Sequence, residues 1–200
     1  MYTTASILIS NHITMYQPKD FSHLLGLEGM SDTLLTNHFT LYQGYVTNTN
    51  KLVDQMKVME VGTPEYTELH RRFGWEWNGM RLHELYFGNI AKHGVALSER
   101  ILKQKIVATW GSVLDWEKEF RGLGMMRGIG WVVLVHDKRD GKLFNVWVDE
   151  HNTGNLAGTT PLLVMDVFEH AFMVDYGLKR ADYINTFMSH IDWHVVEERV

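Results

Sequence analysis

Asp166 and His170 lie four residues apart inside an apolar run, between Leu162-Leu163-Val164-Met165 and Ala171-Phe172-Met173-Val174. On a helix, or on a strand turning into one, that spacing can aim a carboxylate and an imidazole at the same point. Both side chains bind metal ions, and both are costly to bury unless something pairs with them. Two pairings would meet that cost: an ordinary Asp–His hydrogen bond, or a metal ion held between the two. The chain has 11 His in 200 residues, which makes a metal site easier to build. It has no Cys, which excludes disulfides, thiolate zinc sites and a cysteine nucleophile.

The elements that must position these groups can be read from pattern and punctuation. Residues 1–30 carry Pro18, Gly26 and Gly29, so an extended arm with a short turn or two is expected. Ser31-Asp32-Thr33 reads as a helix N-cap region. A long helix follows from Leu34 to about Met56, with a helical apolar pattern through Leu35, Phe39, Tyr42 and Val46. Val61-Gly62-Thr63-Pro64 breaks it, and Pro64-Glu65 can open the next turn. A second helix, roughly Trp75 to Ala91, completes an antiparallel hairpin and ends at His93-Gly94. Two shorter helices, Ser98 to Val107 and Val113 to Arg121, have Ser98 and Ser112 as plausible caps.

The character changes at Gly122. Trp131 to Val135 and Leu143 to Val148 are β-rich, with Asp140-Gly141 as the turn between them. Leu162 to Met165 is a third strand, and helices at about Phe168–Tyr176 and Arg180–Ile191 close the chain. The fold class is therefore α+β. An N-terminal arm and long helical hairpin (1–92) precede a mixed domain (97–200), whose small three-stranded antiparallel sheet is flanked by helices.

A formal net charge of −5 argues against a nucleic-acid binder. No apolar run is long enough to span a bilayer, so no membrane partner is expected. Met1 to Ser10 lacks the basic region and cleavage site of a signal peptide. With the missing cysteines, this fits a cytoplasmic protein.

Asp166-Val167-Phe168-Glu169-His170-Ala171, followed by Lys179-Arg180-Ala181-Asp182-Tyr183-Ile184 and Ile191-Asp192-Trp193, resembles the C-terminal signature of the iron/manganese superoxide dismutases. The likeness extends over about residues 31–193, and the two-part architecture read above is similar to the family's. That family takes one histidine ligand from each helix of its hairpin. On the second helix, Leu82-His83-Glu84-Leu85-Tyr86-Phe87 resembles the family's Asn-His-x-x-Phe-Trp pattern, which implies His83. On the first, Ser31 to His38 resembles the run from a helix cap to the first ligand. Tyr45-Val46-Thr47-Asn48-Thr49-Asn50 resembles the block that holds a gateway tyrosine.

Ligand and tyrosine are usually eight positions apart in the family, whereas His38 and Tyr45 are seven. Seven residues of plain α-helix are almost two turns. His38, Tyr42 and Tyr45 then share a face if the family's common π-type bulge is absent. The rival alignment puts Asn37 at the ligand position. The resemblance so implies His38, His83, Asp166 and His170 around one Fe or Mn ion per subunit, a donor set that suits either metal.

Around those ligands the resemblance implies further roles. Gly79, four before His83, occupies one of the two places from which a glutamine reaches the centre. His151, after the second hairpin strand, occupies the other. Trp131 walls the site, and Val133 replaces a second aromatic. Glu169 cannot easily reach the ring of its own neighbour His170; in the family this glutamate bonds the ligand histidine of the partner subunit, which implies a homodimer, or a tetramer built from it. An interface His–Tyr pair of the family maps to Tyr42 and Met173, which cannot form the same hydrogen bond. The implied reaction is disproportionation of superoxide at a metal cycling between +3 and +2, with Tyr45 and His151 supplying protons and Arg180 steering the anion. The alternative is a non-catalytic or differently tuned metal-binding protein on the same fold.

Overall fold

The computed structural model describes residues 15–200. Residues 1–14 of the expected N-terminal arm lie outside them. From Met15 the chain runs in coil, with one 3-10 turn at Ser22–Leu24, to Ser31.

Ser31 caps α1 (Asp32–Val58): its side chain accepts the Leu34 N–H, and Asp32 sits favourably in the first turn of the helix dipole. The helix is unbroken α, with no π-type turn. It buries Leu34, Leu35, His38, Tyr42 and Val46. The second helix, α2 (Pro64–Gly88), starts about three turns earlier than its apolar pattern suggests. Thr63 caps it through the Tyr66 N–H, Pro64 occupies the first turn, and Glu65 favours that end. These local signals suffice although most of residues 64–74 face solvent. The two helices pack as the expected hairpin.

Helices α3 (Ile101–Trp110) and α4 (Val113–Gly124) follow. Ser112 caps α4 through the Asp115 N–H. Ser98 is not a cap: its hydroxyl and N–H both go to Glu197, and α3 begins after Arg100 with no side-chain cap. Strands β1 (Gly130–Asp137), β2 (Lys142–Asp149) and β3 (Thr159–Asp166) form an antiparallel sheet in the order β2-β1-β3. The central β1 is buried along nearly its whole length, as a strand covered on both faces must be. Helices α3 and α4 pack on the sheet around β2, and α2 packs against β3.

The expected helix over Phe168–Tyr176 is not continuous. The chain leaves β3 at Asp166, makes a 3-10 turn at Glu169–Ala171, then one α turn, α5 (Met173–Tyr176), stopped by Gly177 at φ 52°. The cause is local: Asp166 Oδ1 accepts the Phe168 N–H at 2.8 Å, and Phe168 stays extended. Helix α6 (Arg180–Ser189) forms as expected. A short α7 (Trp193–Glu198), capped by Asp192, was not expected. Residues 90–95 pair with 190–192, joining the chain after the hairpin to its C-terminal end.

Candidate metal centre

His38 reaches the interior from α1, His83 from α2, Asp166 from the end of β3 and His170 from the 3-10 turn. One donor atom from each lies within 4.8 Å of the others. His38, His83 and Asp166 have no solvent exposure, and the His170 side chain retains 24%. Asn37, the rival to His38, faces solvent. Three imidazoles converge on one carboxylate oxygen: Asp166 Oδ2 lies 3.1 Å from His38 Nε2, 3.2 Å from His170 Nε2 and 3.7 Å from His83 Nε2.

The hydrogen bond behind His83 fixes what it presents. Its Nδ1 lies 2.6 Å from the Gly79 carbonyl, which only accepts, so Nδ1 carries the proton. Burial holds His83 well below the usual histidine range, and neighbouring His38 adds to this, so the ring is neutral and Nε2 is a bare lone pair. Nε2 is buried with no hydrogen-bond partner among the described residues. Burial raises the Asp166 carboxyl, but the charge and hydrogen bonds of His170 and His38 outweigh it and hold the group ionised. A lone pair thus faces a carboxylate across 3.7 Å. Two acceptors pointed at each other in a dry interior are unfavourable unless a cation lies between them. A donor set of three imidazoles and one carboxylate fits a single divalent or trivalent Fe or Mn ion.

Around this cluster the other expected residues take definite places. Tyr45, half-buried, stacks on His83 with ring centroids 5.2 Å apart. Gly79 makes that possible, because a Cβ there would stand 2.5 Å from Tyr45 Cδ1. His151 lies 2.7 Å from the Tyr45 hydroxyl through Nε2, and its Nδ1 accepts the Trp131 indole N–H at 3.0 Å. Burial holds His151 down to about 4, so it is neutral with its proton on Nε2. Burial also raises the Tyr45 phenol, which stays protonated. Glu150, just before His151, has φ +49°, an uncommon conformation for a residue with a side chain. Trp131 is fully buried and sets its ring edge-on to His83 at 4.9 Å.

Tyr42 is buried beside the cluster, but its hydroxyl is engaged elsewhere: it accepts the Lys19 N–H at 2.9 Å and donates to Glu84 at 3.1 Å. Burial pushes its phenol up to about 12. Met173, its counterpart in the expected interface pair, is exposed. Arg180 spends its guanidinium on the Met126 and Gly128 carbonyls, at 2.6 and 3.1 Å. Glu169 is exposed and forms no ion pair among the described residues.

Three contributors escaped sequence reasoning. Phe168 stacks on both His151 and His170, at 4.8 and 5.2 Å. Trp75 meets His151 edge-on at 4.8 Å. Glu84, buried, gathers Tyr42, Arg81 and Lys19. A signal for Trp75 was present: Trp75, Gly79 and His83 follow at i, i+4 and i+8, one face of α2.

Comparison with known proteins points to one family. The family model of the iron/manganese superoxide dismutases, C-terminal domain, matches residues 98–199. The iron superoxide dismutase of Aquifex aeolicus is 38% identical over 192 residues, covering 92% of this chain and 90% of that protein. The iron superoxide dismutase of Cupriavidus metallidurans is 36% identical over 173 residues, 84% of this chain and 86% of its own. A manganese superoxide dismutase of Haloferax volcanii is 34% identical over 169 residues, 82% and 83%.

Proposed function

This chain belongs to the iron/manganese superoxide dismutase family, and we propose that His38, His83, Asp166 and His170 are the ligands through which it does the family's work. The activity is disproportionation of superoxide to dioxygen and hydrogen peroxide, with one iron or manganese ion per subunit. The observation that carries the ligand assignment is the bare, buried Nε2 of His83 aimed at the Asp166 carboxylate.

The bound ion supplies one-electron exchange with superoxide. The chain supplies position and protons. Gly79 O and the Asx-type turn at Asp166 orient two ligands through bonds behind them, which fixes the donor atoms before any ion arrives. Peroxide formation consumes two protons for every two superoxides. Tyr45, stacked on His83, offers a proton-bearing hydroxyl beside the cluster. Because His151 Nε2–H donates to the Tyr45 oxygen, the tyrosine's own proton is left free to point away from His151. Solvent then restores that proton. His151 acts by holding and polarising Tyr45, and Trp131 and Phe168 hold His151.

The same reading assigns the functional unit as a homodimer. Around the exposed Glu169, Met125, Met126, Ile129 and Leu178 leave apolar surface in solvent, Leu178 at 92% exposure. Two copies joined across this face would let Glu169 reach the partner subunit's His170 and bury that surface. Arg180, pinned at its edge, holds the 125–129 loop in shape and adds positive charge at that edge. The hairpin with its arm, 1–92, and the mixed domain, 97–200, are the two units, with the ligands split evenly between them. Among the described residues, no helix is long and apolar enough to cross a membrane. With no Cys in the sequence, we place the protein in the cytoplasm.

The test is metal content and dismutation on one sample, beside His38→Ala and His83→Ala. Near-stoichiometric Fe or Mn with activity lost in both variants is the expected result. Metal without dismutation would show a centre tuned to another substrate, and no metal after reconstitution would overturn the assignment. Light scattering distinguishes dimer from tetramer.

A further inference from the structure

His151 sits in a box of four aromatic rings. Tyr45, Trp131 and Phe168 close its inner sides, and Trp75 closes the fourth at 4.8 Å and 77°. Trp75 is half-buried and Arg72, one turn before it on α2, is exposed, so the contacts run outward from buried His151 through Trp75 to Arg72 at the surface. The Arg72 guanidinium lies over the Trp75 ring, 5.0 Å from its centroid. Its Nε and Nη2 both donate to Glu76 Oε1, at 2.9 and 2.7 Å, and Asn48 donates to the other oxygen at 3.3 Å. Glu76 is only 5% exposed at its side chain, whereas Arg72 is 47% exposed. The ion pair therefore points its positive end outward.

We propose that Trp75 and Arg72 form the solvent-side cap of the His151–Tyr45 pair, Trp75 as a positioning residue for His151 and Arg72 as a cation that draws the substrate anion to this side. The proposal rests on the dismutase reading, since superoxide is the anion concerned. A chain of net charge −5 repels such a substrate at long range, so local positive charge near the site sets how often encounters succeed. Arg180 is the other candidate, but its donors are spent on backbone carbonyls of the 125–129 loop. Arg72 is tied to a side chain of its own helix and leaves a face of the guanidinium open. Removing Trp75 would open His151 to water and leave Arg72 without the ring it lies on.

Arg72→Gln, Arg72→Lys, Trp75→Leu and Trp75→Phe are compared with the parent protein, metal-loaded for the kinetic and azide measurements. Three readouts are used: kcat/KM across ionic strength, equilibrium binding of azide, and exchange of the His151 Nε2 proton by NMR in metal-free protein. For Arg72→Gln we expect kcat/KM to fall about threefold at low salt, a flatter salt dependence and weaker azide binding. Arg72→Lys keeps the charge and should keep the salt slope. Trp75→Leu should speed exchange of the His151 proton and lower kcat, and Trp75→Phe should restore both. Unchanged salt dependence and azide affinity in Arg72→Gln would overturn the steering role. Unchanged proton exchange in Trp75→Leu would overturn the positioning role. A fully metallated parent protein without dismutation would sink the activity reading instead, and azide and NMR would still decide the cap.

Discussion

The indole N–H of Trp131 meets Nδ1 of His151 at 3.0 Å. An indole nitrogen only donates, so that contact exists only while His151 Nδ1 is unprotonated. Trp131 thereby selects the neutral tautomer whose Nε2–H faces Tyr45. Trp131→Phe keeps a ring in the wall and deletes the donor. We expect a loss of about 2 kcal/mol in urea unfolding, from one buried acceptor left unpaired. We also expect a mixture of His151 tautomers in ¹⁵N NMR. A single Nε2–H tautomer in the variant would show that something else sets it. His151→Gln, which can still donate to Tyr45, should retain more dismutase activity than His151→Leu.

Gly79 does two things at once: its carbonyl takes the His83 Nδ1 proton, and its missing side chain admits the Tyr45 ring. In an exposed helix interior, Gly to Ala gains up to about 1 kcal/mol. Here the added Cβ would meet three ring carbons of Tyr45 at 2.5 to 2.9 Å, so something must move. Gly79→Ala should destabilise by about 1–3 kcal/mol, as overpacking does. It should also lower kcat by pushing Tyr45 off His83. A thermal scan showing the variant at or above the parent Tm would mean that α1 and α2 separate at little cost.

The residues of the cluster were legible in two ways: Asp166 and His170 from a carboxylate and an imidazole four apart in an apolar run, and His38 and His83 from the resemblance to a family that places one histidine on each hairpin helix. The strands were legible from β-branched runs around Asp140-Gly141. The path from Asp166 to Tyr176 was not, because the turn there is set by the Asp166 side chain bonding the Phe168 N–H, a local competitor that periodicity does not register. The early start of α2 was missed for the opposite reason. Its cap at Thr63 and its Pro64 are strong, but its first turns face water and carry no apolar stripe. The Tyr42–Glu84 and Trp131–His151 bonds join residues 42 and 20 positions apart, and only the packed elements bring them together.

Asn89 shows how a residue without any such signal can govern the site. It is fully buried at the C-terminus of α2, six residues past His83. Its Nδ2 donates to the Tyr86 and Val164 carbonyls at 3.0 and 3.2 Å, and its Oδ1 accepts the Val164 N–H at 2.9 Å. Val164 is two residues before Asp166 on β3, so Asn89 clamps the helix that carries His83 to the strand that carries Asp166. Asn89→Ala strands a buried N–H and a carbonyl together. We expect about 3 kcal/mol of destabilisation and less metal retained per chain during mild chelation. Normal metal retention in a destabilised but folded variant would separate the clamp from ligand placement.

His136 lies on the face of β1 opposite Trp131, and both its ring nitrogens are buried without a partner among the described residues. Burial holds its imidazole below the usual range, and the positive charges of Lys105 and Lys138 add to this, against the weaker pull of Asp137. The folded protein thus favours the neutral ring, while the unfolded chain protonates it near the ordinary histidine value of about 6.5. The stability that neutral His136 contributes is present above that value. It declines as pH falls below it, because the unfolded state then binds the extra proton. His136→Leu removes both orphan nitrogens and the titration, so it should raise Tm slightly at pH 8 and by a larger margin at pH 5. Thermal unfolding at both pH values checks this. Equal gains at the two pH values would mean that His136 finds a hydrogen-bond partner in solution and titrates alike in both states.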